Sequence, residues 1–438
     1  MGALAIGDLE PELAGEVLMR ARKNNPLALG SYAPDGVGYE GPGYWSYGTT
    51  YQVLLATALQ SALGQDWDLS KNRPLLESAS FVLQTTGPTG LVFNFSDGRE
   101  KLGVEPALYW FARQRKEPGL LAFEFDRLDA FLKQEPTPTS LADTSRFLPL
   151  IALWWTCLKT KPEPELPLSW MGRGDQPLAV FRSAWVEPGA MWLAIKGGSA
   201  QLSHAQMDAG TFVFEADGER WASDLGLQDY FILESKSLSL WDRKQDSDRW
   251  KVFRLNSDSH SVLTINGQQQ RVEGKARIVR FSDEKDVSTA LIDLRSIYQG
   301  LASKVSRGVA FRPGHQVLLR DELEGLKAGD KVRWAMVTKA ALSMQGQEVE
   351  LTQNGKKLRV KVLAPAGARF ESLPAEPPPD DFNQPNPGFQ LLTLNLVAPE
   401  TGTMEIEVLL VPGSATEVEE TLAGKSLEQW PGEEVKAH

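Results

Sequence analysis

The first 160 residues carry hydrophobic side chains at the spacing of amphipathic helices. Their hydrophobic positions recur with the 3.6-residue period of a helix, and Gly, Pro or Asp residues separate one run from the next. The pattern predicts helices at 10–24, 49–63, 105–115, 118–133 and 146–159. Residues 1–160 are therefore predicted to form an all-α domain of paired helices.

The pattern changes at KPEPELPL (161–168), where three prolines block continuation of a helix. Short segments with alternating hydrophobic and polar positions follow, and turn sequences such as DG, NG and GD join them. The predicted strands are 178–185, 190–196, 211–217, 261–267, 271–281, 331–339, 358–363 and 404–411. Their close spacing favours an antiparallel β-sandwich over 169–438, with a proline-rich loop at 373–388. The fold class is thus multidomain α+β.

Composition narrows the classes of function. The chain has 57 acidic and 46 basic residues and a net charge of −11, which argues against a nucleic-acid or membrane-surface binder. No run of hydrophobic residues reaches the length of a membrane span. The single cysteine, Cys157, excludes an intrachain disulfide and is interpreted as a buried thiol. The first residues lack a basic stretch, so no signal peptide is predicted in the chain as given.

Two of the four histidines are candidates for chemistry. His204 and His260 each precede a predicted strand, in loops rich in Ser, Asp and Gly. A rigid sheet can present a side chain from such a loop. The alternative for each is a structural histidine that satisfies a local hydrogen bond.

The sequence around these histidines resembles the heparinase II/III-like polysaccharide lyases. Three segments carry the resemblance, which extends from about residue 10 to about residue 320. They are SYAPDGVGYEGPGYWSYGT (31–49), GGSAQLSHAQMDAGTFVFEADGERWASDLG (197–226) and WKVFRLNSDSHSVLTING (250–267).

The resemblance implies an (α/α) toroid followed by an antiparallel sandwich, with the active site in the cleft between them. It also implies β-elimination from a uronic acid in an anionic polysaccharide such as a glycosaminoglycan or alginate. That reaction needs a neutralised carboxylate, a base near C5 and an acid at the departing oxygen. A periplasmic or secreted location is expected on the same ground.

Site residues follow from the resemblance position by position. His204 falls on the catalytic histidine of an HxHxD-like motif, Tyr230 is the candidate proton-transferring phenol, and Glu40 falls on a position that faces the substrate carboxylate. The alternative for Glu40 is a carboxylate favoured by a helix N-terminus. Further candidates for contact with substrate are Tyr44, Tyr47, Asn94, Asp97 and Lys196.

The sequence departs from the family pattern in three ways. The family's zinc ligands fall on Gln206, Asp224 and His260, and glutamine is a poor zinc ligand. The zinc would hold the loop of His204 rather than activate water. Phe95 stands where similar lyases carry a catalytic tyrosine. The helical part is about half of the usual toroid, so the chain resembles the C-terminal portion of a longer enzyme.

Three functions therefore remain open at this stage. The first is a polysaccharide lyase that acts by β-elimination. The second is a non-catalytic, glycan-binding remnant of such a lyase, which the change at Phe95 and the short toroid favour. The third is a glycoside hydrolase with Glu40 and Asp97 as acid and base.

Overall fold

The structure is a computed structural model that describes residues 1–133, 145–155, 160–415 and 422–436. Cys157 and the end of the predicted helix 146–159 lie outside the described residues. The chain divides into two compact units. The first comprises Met1–Thr86, Lys101–Pro167 and Gly172–Gly174, and the second comprises Gly87–Glu100, Leu168–Met171 and Asp175–His438.

The first unit is helical, as the periodicity predicts. Its α-helices are α1 (Gly2–Ala5), α2 (Pro11–Leu29), α3 (Gly41–Leu63), α4 (Arg73–Gln84), α5 (Pro106–Arg115), α6 (Glu124–Lys133) and α7 (Ile151–Trp154). Four 3-10 segments accompany them, at Gly30–Tyr32, Leu69–Lys71, Pro118–Leu121 and Ser145–Leu150. In the described residues of this unit, no helix is long and apolar enough to cross a membrane.

Helix boundaries follow local chemistry. The side chain of Asn72 accepts a hydrogen bond from the amide of Leu75 and caps α4, which the sequence analysis did not predict. Gly64, with φ of +67°, ends α3 in a left-handed conformation that glycine adopts without strain. The predicted helix 118–133 is interrupted, since a 3-10 turn precedes α6. The closure of these helices into a toroid stays a prediction.

The second unit contains three antiparallel sheets, which confirms the predicted class of β structure. The first sheet runs in chain order and consists of β1 (Ser169–Gly172), β2 (Leu178–Arg182), β3 (Trp192–Lys196), β4 (Phe212–Ala216) and β5 (Glu219–Ala222).

The other two sheets interleave along the chain. The nine-stranded sheet has β7 (Arg277–Ser282), β8 (Ser288–Asp293), β9 (Lys304–Arg312), β10 (Gln316–Glu324), β12 (Ala341–Gln345), β13 (Glu348–Gln353), β14 (Lys356–Ala364), β17 (Thr403–Pro412) and β18 (Glu433–Glu434). The four-stranded sheet has β6 (Leu263–Ile265), β11 (Lys331–Thr338), β15 (Phe370–Pro374) and β16 (Gln390–Val397).

One hydrophobic core joins the three sheets. Leu193 of β3, Val309 of β9 and Trp334 of β11 belong to the same cluster of fully buried side chains. Because burial of such side chains is the main stabilising term in folding, the sheets form one rigid body. Loops at its edge, together with the short helix α8 (Tyr230–Ser235), carry the site described next.

Candidate active site

His204 lies in the loop between β3 and β4, in an uncommon backbone conformation. Its φ is +57°, in the left-handed region that non-glycine residues rarely adopt. Asparagine, aspartate and histidine are the non-glycine residues that adopt this region most often, so the conformation suits the residue type.

Tyr230 is the first residue of α8 and contacts the ring of His204. The side chain of Asp229 accepts a hydrogen bond from the amide of Phe231 and so fixes the start of this helix. The hydroxyl of Tyr230 lies 2.9 Å from Nδ1 of His204. The two sequence-predicted catalytic residues of this unit are therefore in direct contact.

Asp97 joins both of these side chains. Its Oδ2 lies 3.2 Å from Nδ1 of His204 and accepts a hydrogen bond of 2.5 Å from the hydroxyl of Tyr230. Arg249 donates to the same oxygen over 3.0 Å, and the amide of Gln206 donates to Oδ1 over 3.1 Å. Asp97 is thus the shared acceptor of a buried polar cluster.

The electrostatic surroundings keep Asp97 ionised. Burial opposes ionisation, but the hydrogen bonds from His204, Tyr230 and Gln206 and the charge of Arg249 outweigh it. The pKa of Asp97 consequently lies below its ordinary value. An ionised carboxylate can only accept hydrogen bonds, so every contact to it must be a donor.

This requirement assigns the proton on His204. The hydroxyl of Tyr230 donates to Asp97, so Nδ1 of His204 must supply the proton in its own contacts with Asp97 and Tyr230. A neutral imidazole with its proton on Nδ1 has its basic lone pair on Nε2. The cluster therefore combines a nitrogen base with a phenol.

Arg249 also fixes the backbone beside His204. Its guanidinium donates to the carbonyl of Ala205 over 2.8 Å and is 2% exposed. The same cation thus holds both Asp97 and the His204 loop. Arg249 was not among the predicted site residues, because it lies 45 residues from His204 in the chain and no local motif connects the two.

Trp241 forms the exposed wall of the cluster and was also not selected. Its ring centroid lies 5.5 Å from that of His204 and 5.2 Å from that of Tyr230, edge-on to both. Its indole nitrogen lies 3.3 Å from Oε1 of Glu234, yet 53% of the residue remains exposed. An exposed indole next to these two side chains has a flat apolar face of the kind that can stack on a sugar ring.

The positions of the family's zinc ligands do not fit zinc in this chain. Asp224 accepts a hydrogen bond from Nδ1 of His260 over 3.1 Å, and both side chains are buried. The amide nitrogen of Gln206 instead donates to the carbonyl of Ser96 and to Asp97. Among the described residues, no group of three His, Cys, Asp or Glu side chains could hold a metal ion. Zinc requires four ligands drawn mainly from these types.

The contact with Asp224 favours the protonated form of His260. Burial lowers the pKa of His260, but the neighbouring carboxylate outweighs burial, and the pKa lies above its ordinary value. The pair thus acts as a structural hydrogen bond that ties the 224–230 segment to the loop before β6. Asp224 also accepts from the amide of Gly226 over 2.7 Å.

Lys196 does not have the predicted position for a substrate contact. Its side chain is fully buried, and its ammonium group lies 2.5 Å from Oδ1 of Asp208. A buried ion pair of this kind is internal to the protein, so the assignment of Lys196 to substrate is wrong.

Phe95 is also fully buried, and it packs against Phe93 with ring centroids 5.3 Å apart. It belongs to the core and cannot move a proton.

Asn94 lies at the other end of the turn that carries Asp97. It is 2% exposed, and its amide donates to the backbone carbonyl of Asp224 over 3.2 Å. Its Oδ1 atom is buried without a hydrogen-bond partner among the described residues. The turn 94–98 therefore contacts both the catalytic cluster and the segment that leads to Tyr230.

The remaining predicted residues lie in the helical unit. Glu40 is the residue before α3, and its side chain makes no capping hydrogen bond. Tyr44 is half-buried in the first turn of α3, and Tyr47 is 62% exposed with its ring 5.2 Å from that of Tyr51. Their assignment to substrate stays a prediction.

Comparison with known proteins agrees with the fold. The sequence profile of the family described as "Heparinase II/III-like, C-terminal" matches residues 176–417. This is more than half of the chain, and it contains His204, Tyr230, Arg249 and Trp241. The chain belongs to this family. A search of curated proteins gave no match.

Solved structures with a similar fold come from the same group of lyases. A heparinase III, the BT4657 gene product, has a TM-score of 0.64 at 16% identity, with 94% of this chain and 58% of that chain covered. The heparan sulfate lyase HepC from Pedobacter heparinus has a TM-score of 0.61 at 14% identity, with 95% and 59% covered. A further heparinase III has a TM-score of 0.62 at 14% identity, with 94% and 60% covered. This chain therefore spans less than two thirds of the length of each.

Proposed function

We propose that the protein is a polysaccharide lyase that cleaves a uronic-acid-containing glycan by β-elimination. The observation that carries the proposal is the contact of 2.9 Å between Nδ1 of His204 and the hydroxyl of Tyr230, with Asp97 as their common acceptor. A base and an acid in contact can act on the two sides of one elimination, at C5 and at the departing oxygen.

In the proposed reaction His204 is the base and Tyr230 is the acid. Nε2 of His204 takes the C5 proton, the electron pair of the C5–H bond forms the C4–C5 double bond, and the bond from C4 to the glycosidic oxygen breaks. The hydroxyl of Tyr230 turns from Asp97 and gives its proton to that oxygen. After the product leaves, Nε2 of His204 gives its proton to water and the phenolate of Tyr230 takes one from water, which restores the starting state of both groups.

Asp97 supports this reaction without touching the substrate. Its carboxylate is fully buried and holds His204 with Nε2 as the basic nitrogen. It also stabilises the imidazolium that forms when the C5 proton is taken, as a carboxylate does for a catalytic histidine in general. Asp97 is therefore a positioning residue rather than a substrate contact.

The proposed substrate is an anionic glycan, because elimination requires a carboxylate at C5 that makes the C5 proton acidic. Two of the similar structures are described as heparinases III and another as a heparan sulfate lyase, so a glycosaminoglycan is the first substrate class to test. We propose that Glu40 of the helical unit faces the uronate carboxylate and shares one proton with it, because two ionised carboxylates in contact would repel each other. We propose Trp241 as a stacking surface. A periplasmic or secreted location follows from the family relationship.

The test is direct detection of the unsaturated product. Purified protein is incubated with heparan sulfate, unsulfated heparosan, chondroitin and alginate, and the ultraviolet absorbance of the conjugated double bond is followed. We expect absorbance to rise with at least one polymer. No rise with any of them at high protein concentration would reject the lyase proposal.

The hydrolase alternative is disfavoured by the state of Asp97. A glycosidase acid must be protonated and must reach the glycosidic oxygen. Asp97 has no exposed side-chain surface, and the pKa of Asp97 is lowered rather than raised. Product formation distinguishes the lyase from the alternative, a non-catalytic glycan-binding protein, which would bind the glycan without cleaving it.

A further inference from the structure

Two adjoining pockets lie toward the far end of α3 from Glu40. One has a volume of about 400 Å³ and the other of about 490 Å³, and every described residue that lines them belongs to the helical unit. Gln60, Asp66 and Ser70 line both pockets, so the two form one groove, which we call the α3–α4 groove. Gln60 lies 20 residues after Glu40, which places the groove about 30 Å along the helix from that residue.

Three tryptophans line the α3–α4 groove. Trp110 of α5 and Trp154 of α7 line the first pocket and are almost fully buried, so they form its floor. Trp67 lines the second pocket and is half-buried. An indole has a flat apolar surface of the kind that can stack on the C–H face of a sugar ring. Both pockets therefore contain such a surface.

The backbone holds Trp67 in an unusual conformation. The φ of Trp67 is +57° and that of Asp68 is +61°, so two consecutive non-glycine residues are left-handed. For a side chain as bulky as tryptophan this region is a genuine outlier, and such outliers concentrate at ligand sites. The amide of Leu69 donates to the carbonyl of Asp66 over 3.1 Å, and the amide of Lys71 donates to that of Asp68 over 3.0 Å. These bonds close the turn that keeps Trp67 at the groove.

Neutral polar side chains accompany the indoles. The amides and hydroxyls that line the groove include those of Asn25, Thr57, Gln60, Ser61, Gln65 and Gln114. Gln60 and Gln114 are exposed, and in the described part of the chain neither side-chain amide is engaged in a hydrogen bond. Each amide offers two donors and one acceptor, which matches the hydroxyl groups of a sugar.

Asp66 adds an acceptor between the two pockets. Burial raises the pKa of Asp66, but hydrogen bonds from the hydroxyl and the amide of Ser70 outweigh burial, and the pKa lies below its ordinary value. The carboxylate is therefore ionised and accepts hydrogen bonds from donors such as sugar hydroxyls.

The groove carries little net charge. Three basic and two acidic side chains line it, namely Arg22, Lys71, Arg113, Asp66 and Asp68. Lys71 and Asp68 pair with each other over 2.8 Å. The groove thus lacks the concentrated positive charge that a strongly anionic sugar requires, and its chemistry suits an uncharged one.

From this combination of indole surface, neutral amides and nearly balanced charge, we propose that the α3–α4 groove is a second glycan-binding site, which takes uncharged sugar units. It contains none of the residues of the candidate active site. Its use as an anchor for a polymeric substrate rests on the proposed function, but binding itself does not, because a glycan without a uronate can bind without undergoing elimination.

The test measures binding of two uncharged probes, cellotetraose and N-acetylated chitotetraose, by calorimetry. The groove variant is Gln60→Ala with Gln114→Ala, which removes two exposed amides from α3 and α5. Alanine favours helices, so both helices should form. The control variant is Glu16→Ala with Arg20→Ala, which removes an exposed ion pair from α2 and also leaves the net charge unchanged.

We expect the wild-type protein and the control variant to bind at least one probe equally, and the groove variant to bind it about tenfold more weakly. Trp67→Asn should weaken binding to a similar extent, because asparagine keeps the left-handed conformation but removes the indole. Tighter binding of the chitotetraose assigns part of the recognition to the acetamido group, and equal binding of the two probes assigns it to the ring and its hydroxyls.

Two results would overturn the inference. One is the absence of binding of either probe to the wild-type protein, and the other is equal binding by the groove and control variants. Binding at the groove by a protein that forms no unsaturated product from any uronate polymer would instead reject the lyase proposal and leave this site standing.

Discussion

The hydroxyl of Tyr230 and Nδ1 of His204 lie 2.9 Å apart, and both contact the same oxygen of Asp97. Asp97 lies in a turn, His204 in a loop between two strands, and Tyr230 at the start of a helix. In the chain, Tyr230 is 26 residues from His204 and Asp97 is 107 residues from it. Their convergence supports a common chemical role, because each contact requires the others to be oriented.

The first prediction concerns His204→Asn. Asparagine adopts the left-handed conformation as histidine does, so the variant should fold and its melting temperature should stay close to that of the wild type. Loss of the base should lower kcat by about 10²- to 10⁴-fold. Both are measured on the purified variant. Retention of full activity would show that His204 is not the base.

The second prediction concerns Asp97→Asn. Without the carboxylate, Nδ1 of His204 loses the charged acceptor that orients its ring, so kcat should fall about 10- to 100-fold while KM changes less. The comparison variant is Glu100→Gln, which removes a carboxylate from the end of the same turn and should keep the wild-type kcat. An equal fall in kcat in both variants would argue against a positioning role for Asp97.

The same substitution should also affect stability in a pH-dependent way. The lowered pKa of Asp97 means that its contribution to stability is present above the ordinary value of 3.8 and is lost as pH falls through the folded-state value. Asp97→Asn leaves Arg249 buried without its partner and should cost about 3 kcal/mol near neutral pH. Denaturant unfolding at neutral pH and below pH 4 should show that this difference narrows in acid.

The third prediction concerns Glu105, the residue before α5 in the helical unit. Burial and the nearby Glu124 carboxylate raise the pKa of Glu105 to about 8. Between pH 4.5 and 8 the folded state therefore binds more protons than the unfolded state. As a result, Glu105 lowers the free energy of unfolding as pH rises through this range, by up to about 1.4 kcal/mol per pH unit.

Replacing Glu105 by glutamine should remove this pH dependence. The amide is neutral at every pH and can still accept the hydrogen bond of 2.6 Å from Ser46. Thermal unfolding followed by helical circular dichroism should give Glu105→Gln a higher melting temperature than the wild type at pH 8.5 and a smaller advantage at pH 5. The exposed Glu12→Gln serves as control and should behave as the wild type does.

The fourth prediction concerns Trp241→Ala. If the indole stacks on a sugar ring, KM should rise about five- to tenfold while kcat changes less, and Trp241→Phe should restore most of the loss. Phe231→Ala removes a ring that is 80% exposed from the same part of the fold and is the matched control. Equal effects of the two alanine variants would argue against a specific stacking role.

The fifth prediction concerns metal. The side chain of Gln206 donates hydrogen bonds to Ser96 and Asp97. Of the three positions that match the family's zinc ligands, only Asp224 and His260 then carry side chains that could bind zinc, and the described residues contain no group of three such ligands. Dialysis against a chelator should therefore leave activity and melting temperature unchanged, and elemental analysis should find zinc well below one ion per chain. Loss of stability on chelation, restored by zinc, would contradict this.

The fold class was predictable because it depends on local patterns. The 3.6-residue hydrophobic period of the helices and the alternation of hydrophobic and polar residues in the strands recur many times along the chain. Each can be read from a short stretch of sequence without knowledge of the rest. The helix at 73–84 was missed although Asn72 and Pro74 mark its start. Strands β9 and β10 were not identified either, since the buried Arg307 of β9 and Arg320 of β10 interrupt their alternation.

The site was predictable only in part. His204 and Tyr230 lie in segments with a recognisable sequence. Arg249 and Trp241 act through contacts that only the folded chain creates, and nothing near them in the sequence marks their role. Lys196 illustrates the opposite error: its positive charge suggested contact with an anionic substrate, but the folded chain buries it in an ion pair with Asp208.

The most direct test of the central claim is the mass of the product released from an unsulfated uronate oligosaccharide by the wild-type protein. Elimination predicts a fragment with a double bond, lighter by one water than the corresponding hydrolysis fragment, and its formation should cease in both His204→Asn and Tyr230→Phe. A fragment that has gained water, or an unsaturated fragment that both variants still produce, would contradict the account.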